Sequence, residues 1–152
     1  MRSLIPLAVI VILGSSPLQF RASSLDDKPF DQQTIQALEA KVIQAQPKDQ
    51  CFLYAELVHQ MTEVSLRQYA AGDVDKATGM LREIQQFAHK IHLSIAGNDK
   101  RLKNAEILLR HTAFRLNEML HSSSFQDRPL VEQTLAQVNQ AESETMMQVF
   151  RK

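Results

Sequence analysis

From about residue 48 to the C-terminus, apolar residues return every three or four positions, the spacing that lines one side of a 3.6-residue-per-turn helix. Lys48 to Ala71 places Cys51, Tyr54, Leu57, Val58, Met61, Val64 and Ser65 on one side. Val74 to Ala96 carries the cleanest stripe: Ala77, Met80, Leu81, Ile84, Phe87, Ala88, Ile91 and Ile95, with spacings that alternate three and four as in bundle packing. Asp99 to His121 turns Leu102, Ala105, Leu109, Thr112, Ala113, Leu116 and Leu120 inward, leaving Ile107 and Phe114 as a second apolar patch on the opposite side. The last and most polar helix, from Arg128 to about Phe150, offers Val131, Leu135, Val138, Thr145 and Val149, with Glu142 beside the stripe.

The interruptions are as informative as the stripes. In Gly72-Asp73 a left-handed glycine stops one helix and a carboxylate side chain caps the next, so Gly72 is predicted to take a positive φ. Gly97-Asn98-Asp99 and Ser122-Ser123-Ser124 break the later helices, and Pro129 sits in a first turn, where its missing N–H costs nothing. Upstream, Asp31 caps a short helix that runs to Gln46 with Ile35, Leu38 and Val42 on one face, and Pro47 ends it. Helices two to five each span about 33 Å at ~1.5 Å per residue, and their short connections make neighbours antiparallel. The expected fold is all-α: an up-down-up-down four-helix bundle of long amphipathic helices preceded by one short helix. A shift of 54 places lays Val131, Leu135, Val138 and Val149 over Ala77, Leu81, Ile84 and Ile95, a shared patterning without residue identity.

The first 24 residues change this picture. Arg2 precedes an apolar run from Leu4 to Leu13, then Gly14-Ser15-Ser16-Pro17 and the small residues Ala22-Ser23-Ser24. This is the layout of a secretory signal peptide, and the run is shorter than the ~20 residues a bilayer span needs. The expected organisation is a signal peptide over 1–24, a flexible lead-in over 25–30 and a single helical-bundle domain over 31–152, secreted or periplasmic, with no stable membrane insertion after cleavage. The chain holds 17 basic and 17 acidic residues, and removing the leader deletes Arg2 and Arg21 but no acid. A slightly acidic mature chain speaks against nucleic-acid binding, which calls for a basic face. With Cys51 as the only cysteine, no intrachain disulfide forms.

Candidate chemistry is sparse. Glu56-Leu-Val-His59 and Glu118-Met-Leu-His121 are Glu-x-x-His steps of the kind that hold metal pairs inside bundles, with Glu39 and Glu83 as conceivable further carboxylates. The helical wheels put Glu56, His59 and Glu118 toward water, however, and the steps sit ~17 Å apart along the bundle axis at ~1.5 Å per residue. His89 and His92 are spaced to chelate a surface ion but lie at the margin of their stripe. No Cys-x-x-Cys-His attachment site is present, and Met61 and Met80 point inward without a histidine to match. Cys51 reads as a buried thiol, and four glycines supply no phosphate cradle or nucleophile elbow.

The Gly72-Asp73 junction with Ala77 resembles the helix–turn–helix of tetratricopeptide-type repeats over some 30 residues. Such units span ~34 residues in two short helices, about half the helix length expected here, which implies shared turn chemistry rather than a shared fold. The reading is therefore a non-enzymatic exported bundle, without catalytic, cofactor or metal residues. It would bind another protein or itself through apolar helix faces, with Ile107, Phe114, Phe52 and Leu66 exposed. The alternative is a metal- or cofactor-binding bundle that uses surface histidines.

Overall fold

The computed structural model describes residues 32–95 and 101–151. The leader, the lead-in, Asp31 and Gly97-Asn98-Asp99 lie outside the described residues. Within them the chain is all-helical: α1 (Gln32–Gln44), α2 (Pro47–Ala70), α3 (Val74–Ser94), α4 (Leu102–Ser122) and α5 (Arg128–Phe150). Helix α4 starts at Leu102 rather than Asp99, and around Pro47 the two helix ends change roles. Helix α1 stops at Gln44, and Pro47 opens α2 instead of closing α1. Gln46 is extended, as a residue before proline prefers, and proline fits a first turn whose N–H groups have no intrahelical partner.

The α2–α3 turn closes as a Schellman motif. The Asp73 N–H donates to Gln68 O at 2.9 Å and the Gly72 N–H to Tyr69 O at 3.1 Å, with Gly72 at φ 85°. The other half of that expectation fails. The Asp73 side chain makes no capping hydrogen bond; its carboxylate lies 3.8 Å from Lys76 Nζ, and only its backbone C=O takes the Ala77 N–H. With ψ at 58°, Asp73 is outside the extended conformation from which a capping side chain reaches the next turn.

Helix α2 packs against α1, α3 and α4, while α5 packs against α3 and α4. Among the described residues α3 does not pack on α4, nor α2 on α5. The four long helices therefore close a ring in the order α2, α3, α5, α4, made of two hairpins laid side by side. Short connections predict that consecutive helices touch; α2–α3 and α4–α5 do, but α3 and α4 stand across a diagonal.

Three neighbours explain why α2 buries more than one stripe. Phe52, Leu53, Ala55 and Thr62 join the expected inward residues, Tyr54 being only partly buried. Two expectations are thereby corrected. Phe52 is 9% exposed, with the Arg101 guanidinium 3.4 Å from its ring centroid, and Leu66 is partly buried against the core. Neither is a free apolar surface. On α4, Ala113 and Leu120 are only partly buried, and Met119 takes the inner position.

The sequence offset of 54 has a spatial counterpart. Buried Ala77, Met80, Ile84 and Ile91 on α3 recur as buried Val131, Thr134, Val138 and Thr145 on α5. Likewise Cys51, Ala55, Val58, Thr62 and Ser65 on α2 recur as Ala105, Leu109, Thr112, Leu116 and Met119 on α4. Side-chain links between the hairpins join residues of similar separation: His59 with Thr112 (53 apart), Glu63 with Arg115 (52), Gln85 with Thr134 (49) and His92 with Glu144 (52).

A Cβ built on Gly72 meets nothing within 4 Å, so only backbone strain opposes a larger residue there. Gly72→Val is expected to cost about 1 kcal/mol or more, and Gly72→Asn less, because asparagine tolerates the left-handed region. Urea unfolding of the three proteins measures this; equal midpoints would contradict the assignment.

Candidate functional site

Two grooves follow the lines where the hairpins meet, one along α2 and α4 and the other along α3 and α5. The first, of about 500 Å³, is lined by His59, Arg110, His111, Phe114 and Arg115. His59, in its lining, belongs to a hydrogen-bonded chain. Thr112 Oγ1 donates its single proton to Leu108 O at 2.8 Å, the back-bond open to threonine within a helix. It must therefore accept from His59, whose Nδ1 lies 3.1 Å away. The imidazole is held as the Nδ1–H tautomer with Nε2 as its acceptor nitrogen. Burial pushes its pKa below the ordinary 6.5, Glu63 opposes this, and His111 and Arg115 add to it. The expectation that His59 faces water is corrected: α4 lies against this side of α2, where a single-helix wheel shows solvent.

Beside the histidine, Arg115 grips Glu63 through both ends of its guanidinium, Nε to Oε1 at 2.7 Å and Nη2 to Oε2 at 3.2 Å, and its Nη1 takes Glu118. Such bidentate pairs fix orientation as well as charge. The two Glu-x-x-His steps are thus drawn into different partnerships, His59 with Thr112 and Glu118 with Arg115. His121 and Glu83 are exposed and Glu39 is partly buried on α1. Phe114 is 64% exposed and Ile107 38%, so the apolar patch read from α4 stands on the surface.

The second groove, about 860 Å³, has buried Ala88 and Ala141 along its floor. Arg82, His89, Lys90 and Leu93 on α3 and Gln137, Gln140 and Glu144 on α5 are among the residues that wall it. It shares His92 and Glu144 with an adjoining hollow of about 590 Å³ that reaches Met147 and Arg151. His89 and His92 stack with ring centroids 6.1 Å apart, and His92 Nδ1 bonds Glu144. That bond, with one from Gln140, holds the Glu144 carboxyl below its ordinary 4.5 against the effect of partial burial. Among the described residues, no three His, Cys, Asp or Glu side chains are grouped to hold a metal ion. Cys51 is fully buried and in no disulfide.

Between α4 and α5 a third cluster brings two carboxyls together. Glu106 is 6% exposed, and Arg110 pairs with it while standing 3.9 Å from Glu142. Burial, and a hydrogen bond and repulsion from Glu106, push Glu142 above its ordinary 4.5, with Arg110 pulling the other way. The α5 stripe marks Glu142 in the sequence, whereas nothing marks Glu106, since an i,i+4 partner such as Arg110 equally suits a solvated helix face.

The chain matches no protein-family model, no curated protein and no solved structure.

Two pH effects of opposite sign follow. A raised folded-state pKa at Glu142 contributes stability that is complete below about 4.5 and lost as pH rises through the raised value. Glu142→Gln is therefore expected to raise the melting temperature near neutrality by on the order of 2 °C, a gain that fades toward pH 4.5. His59 has a lowered pKa, so its contribution is present above 6.5 and lost as pH falls through the lowered value. His59→Gln keeps a donor for Thr112 and removes the titration, so the variant is expected to lose less stability than the wild type below pH 6.5. Melting temperatures across this range test both; parallel wild-type and variant profiles would contradict them.

Proposed function

We propose that the chain is an exported, non-enzymatic helical protein that binds another protein, or a second copy of itself, through the face shared by α2 and α4. The observation that carries this reading is Phe114, a 64% exposed aromatic ring on a long helix, in a groove lined by two arginines and two histidines. Aromatic and arginine side chains are enriched where proteins meet. Ile107, two turns earlier on α4, widens the apolar area. Phe52 is buried and Leu66 half-buried against the core, so neither contributes to this face.

The frame is proposed as an up-down-up-down arrangement of amphipathic helices. Its support is the order of the links: 59 with 112 and then 63 with 115 climb together along α2 and α4, whereas 65 bonds 77 across α2 and α3. Export to a secreted or periplasmic location rests on the basic start and short apolar run within residues 1–24. No described helix is long and apolar enough to cross a membrane.

The engagement of His59 with Thr112, of Glu63 and Glu118 with Arg115, and of Cys51 with the core favours binding over catalysis. A photo-crosslinking residue at position 114 is expected to give a discrete adduct, absent when the same residue replaces exposed Lys103. Phe114→Ser is expected to abolish association while changing stability by no more than about 0.5 kcal/mol. Light scattering that shows a strict monomer, together with no discrete adduct at 114, would overturn the reading.

A further inference from the structure

We infer that the α3–α5 groove is a second binding site, on the opposite side of the ring from Phe114, and that it takes an extended acidic peptide segment of a protein partner. Its walls carry Arg82 and Lys90, and Arg151 stands at the adjoining hollow. Among the described residues neither Arg82 nor Lys90 makes an ion pair; Lys90 lies over the Phe87 ring at 5.0 Å. Glu144 is the one carboxylate in the lining, and it is already engaged by His92 and Gln140. The groove therefore offers positive charge without a competing free anion.

Depth comes from Ala88 and Ala141, whose small side chains let a main chain approach the floor. Gln86 and Gln137 each present an amide donor and an amide acceptor, the pair that an extended peptide backbone requires. Along α3 the lining runs from Arg82 to Leu93, ~16 Å at ~1.5 Å per residue, which matches about five residues of extended chain. Leu93 and Met147, both well exposed near one end, suit an apolar residue beside the acidic ones. No Phe, Tyr or Trp ring lines either hollow, and the His89 and His92 rings are already stacked on each other, so a single-stranded nucleic acid would find charge but little free surface on which to stack its bases.

The test uses a fluorescein-labelled hexapeptide, Glu-Asp-Glu-Leu-Asp-Glu, its Gln/Asn counterpart, and a single-stranded oligonucleotide of equal charge, followed by fluorescence anisotropy. The acidic peptide is expected to bind at least about tenfold more tightly than the neutral one, with affinity falling as salt is added. The double variant Arg82→Glu/Lys90→Glu is expected to weaken it by about tenfold or more, whereas Lys41→Glu/Lys103→Glu, the same charge change on exposed positions of α1 and α4, stays within about twofold. Circular-dichroism melting establishes that both double variants are folded. Phe114→Ser is expected to leave peptide affinity unchanged, which separates this site from the α2–α4 face. Equal binding of the neutral peptide, equal binding of the oligonucleotide, an equal loss in the two double variants, or no peptide binding would each overturn the proposal.

Discussion

Thr112 and Thr134 are buried hydroxyls whose protons are spent on their own helices, on Leu108 O and Leu130 O. Each is left able only to accept, and a buried acceptor without a donor is costly, about 1–3 kcal/mol. The facing hairpin supplies those donors, His59 to Thr112 and Gln85 to Thr134. Sliding one hairpin along the other by a helical turn of ~5.4 Å would strand both. Apolar packing alone tolerates such a slip more readily, because hydrophobic attraction has no direction. These two threonine acceptors, with the Glu63–Arg115 and His92–Glu144 links, oppose a slip between the two layers. Tyr69 fastens one end, donating to Asp127 and receiving the Ser124 N–H.

With that register fixed, α2 becomes the helix with the most neighbours, and the distribution of apolar surface follows. A helix covered on three sides draws Phe52 and Leu66 into contact with the core, although one stripe on a wheel would leave them outside. Helix α4, with α2 and α5 as neighbours, keeps Phe114 and Ile107 in solvent. The difference arises from position in the ring rather than from composition, since both helices carry comparable apolar content.

The two hairpin-to-hairpin lines lie on opposite edges of the ring, and they differ in chemistry. Along α2–α4 an exposed aromatic ring sits among cationic and imidazole groups, with Glu63 and Glu118 taken up by Arg115. Along α3–α5 small floor residues and amides replace the aromatic, and the uncompensated charge is positive.

Helices and turns were legible because they depend on local chemistry. Gly72 took its positive φ, Pro129 its first-turn place, and every residue of the α3 stripe its buried or half-buried position. Asp73 failed as a side-chain cap because its ψ is set by the turn before it. Phe114 could be found because nothing later covered it. His59, Arg115 and Glu106 could not be placed, since their roles come from residues distant in the chain or across a helix interface. By itself the sequence determined that these five helices form, where each lies to within a few residues and which side of each is apolar, because those properties arise within a few turns of one chain. Only the tertiary structure decided that α2 lies beside α4 and α3 beside α5, and hence which polar groups are paired and which faces stay open, because the partners lie about 50 residues apart and meet only once the hairpins are packed.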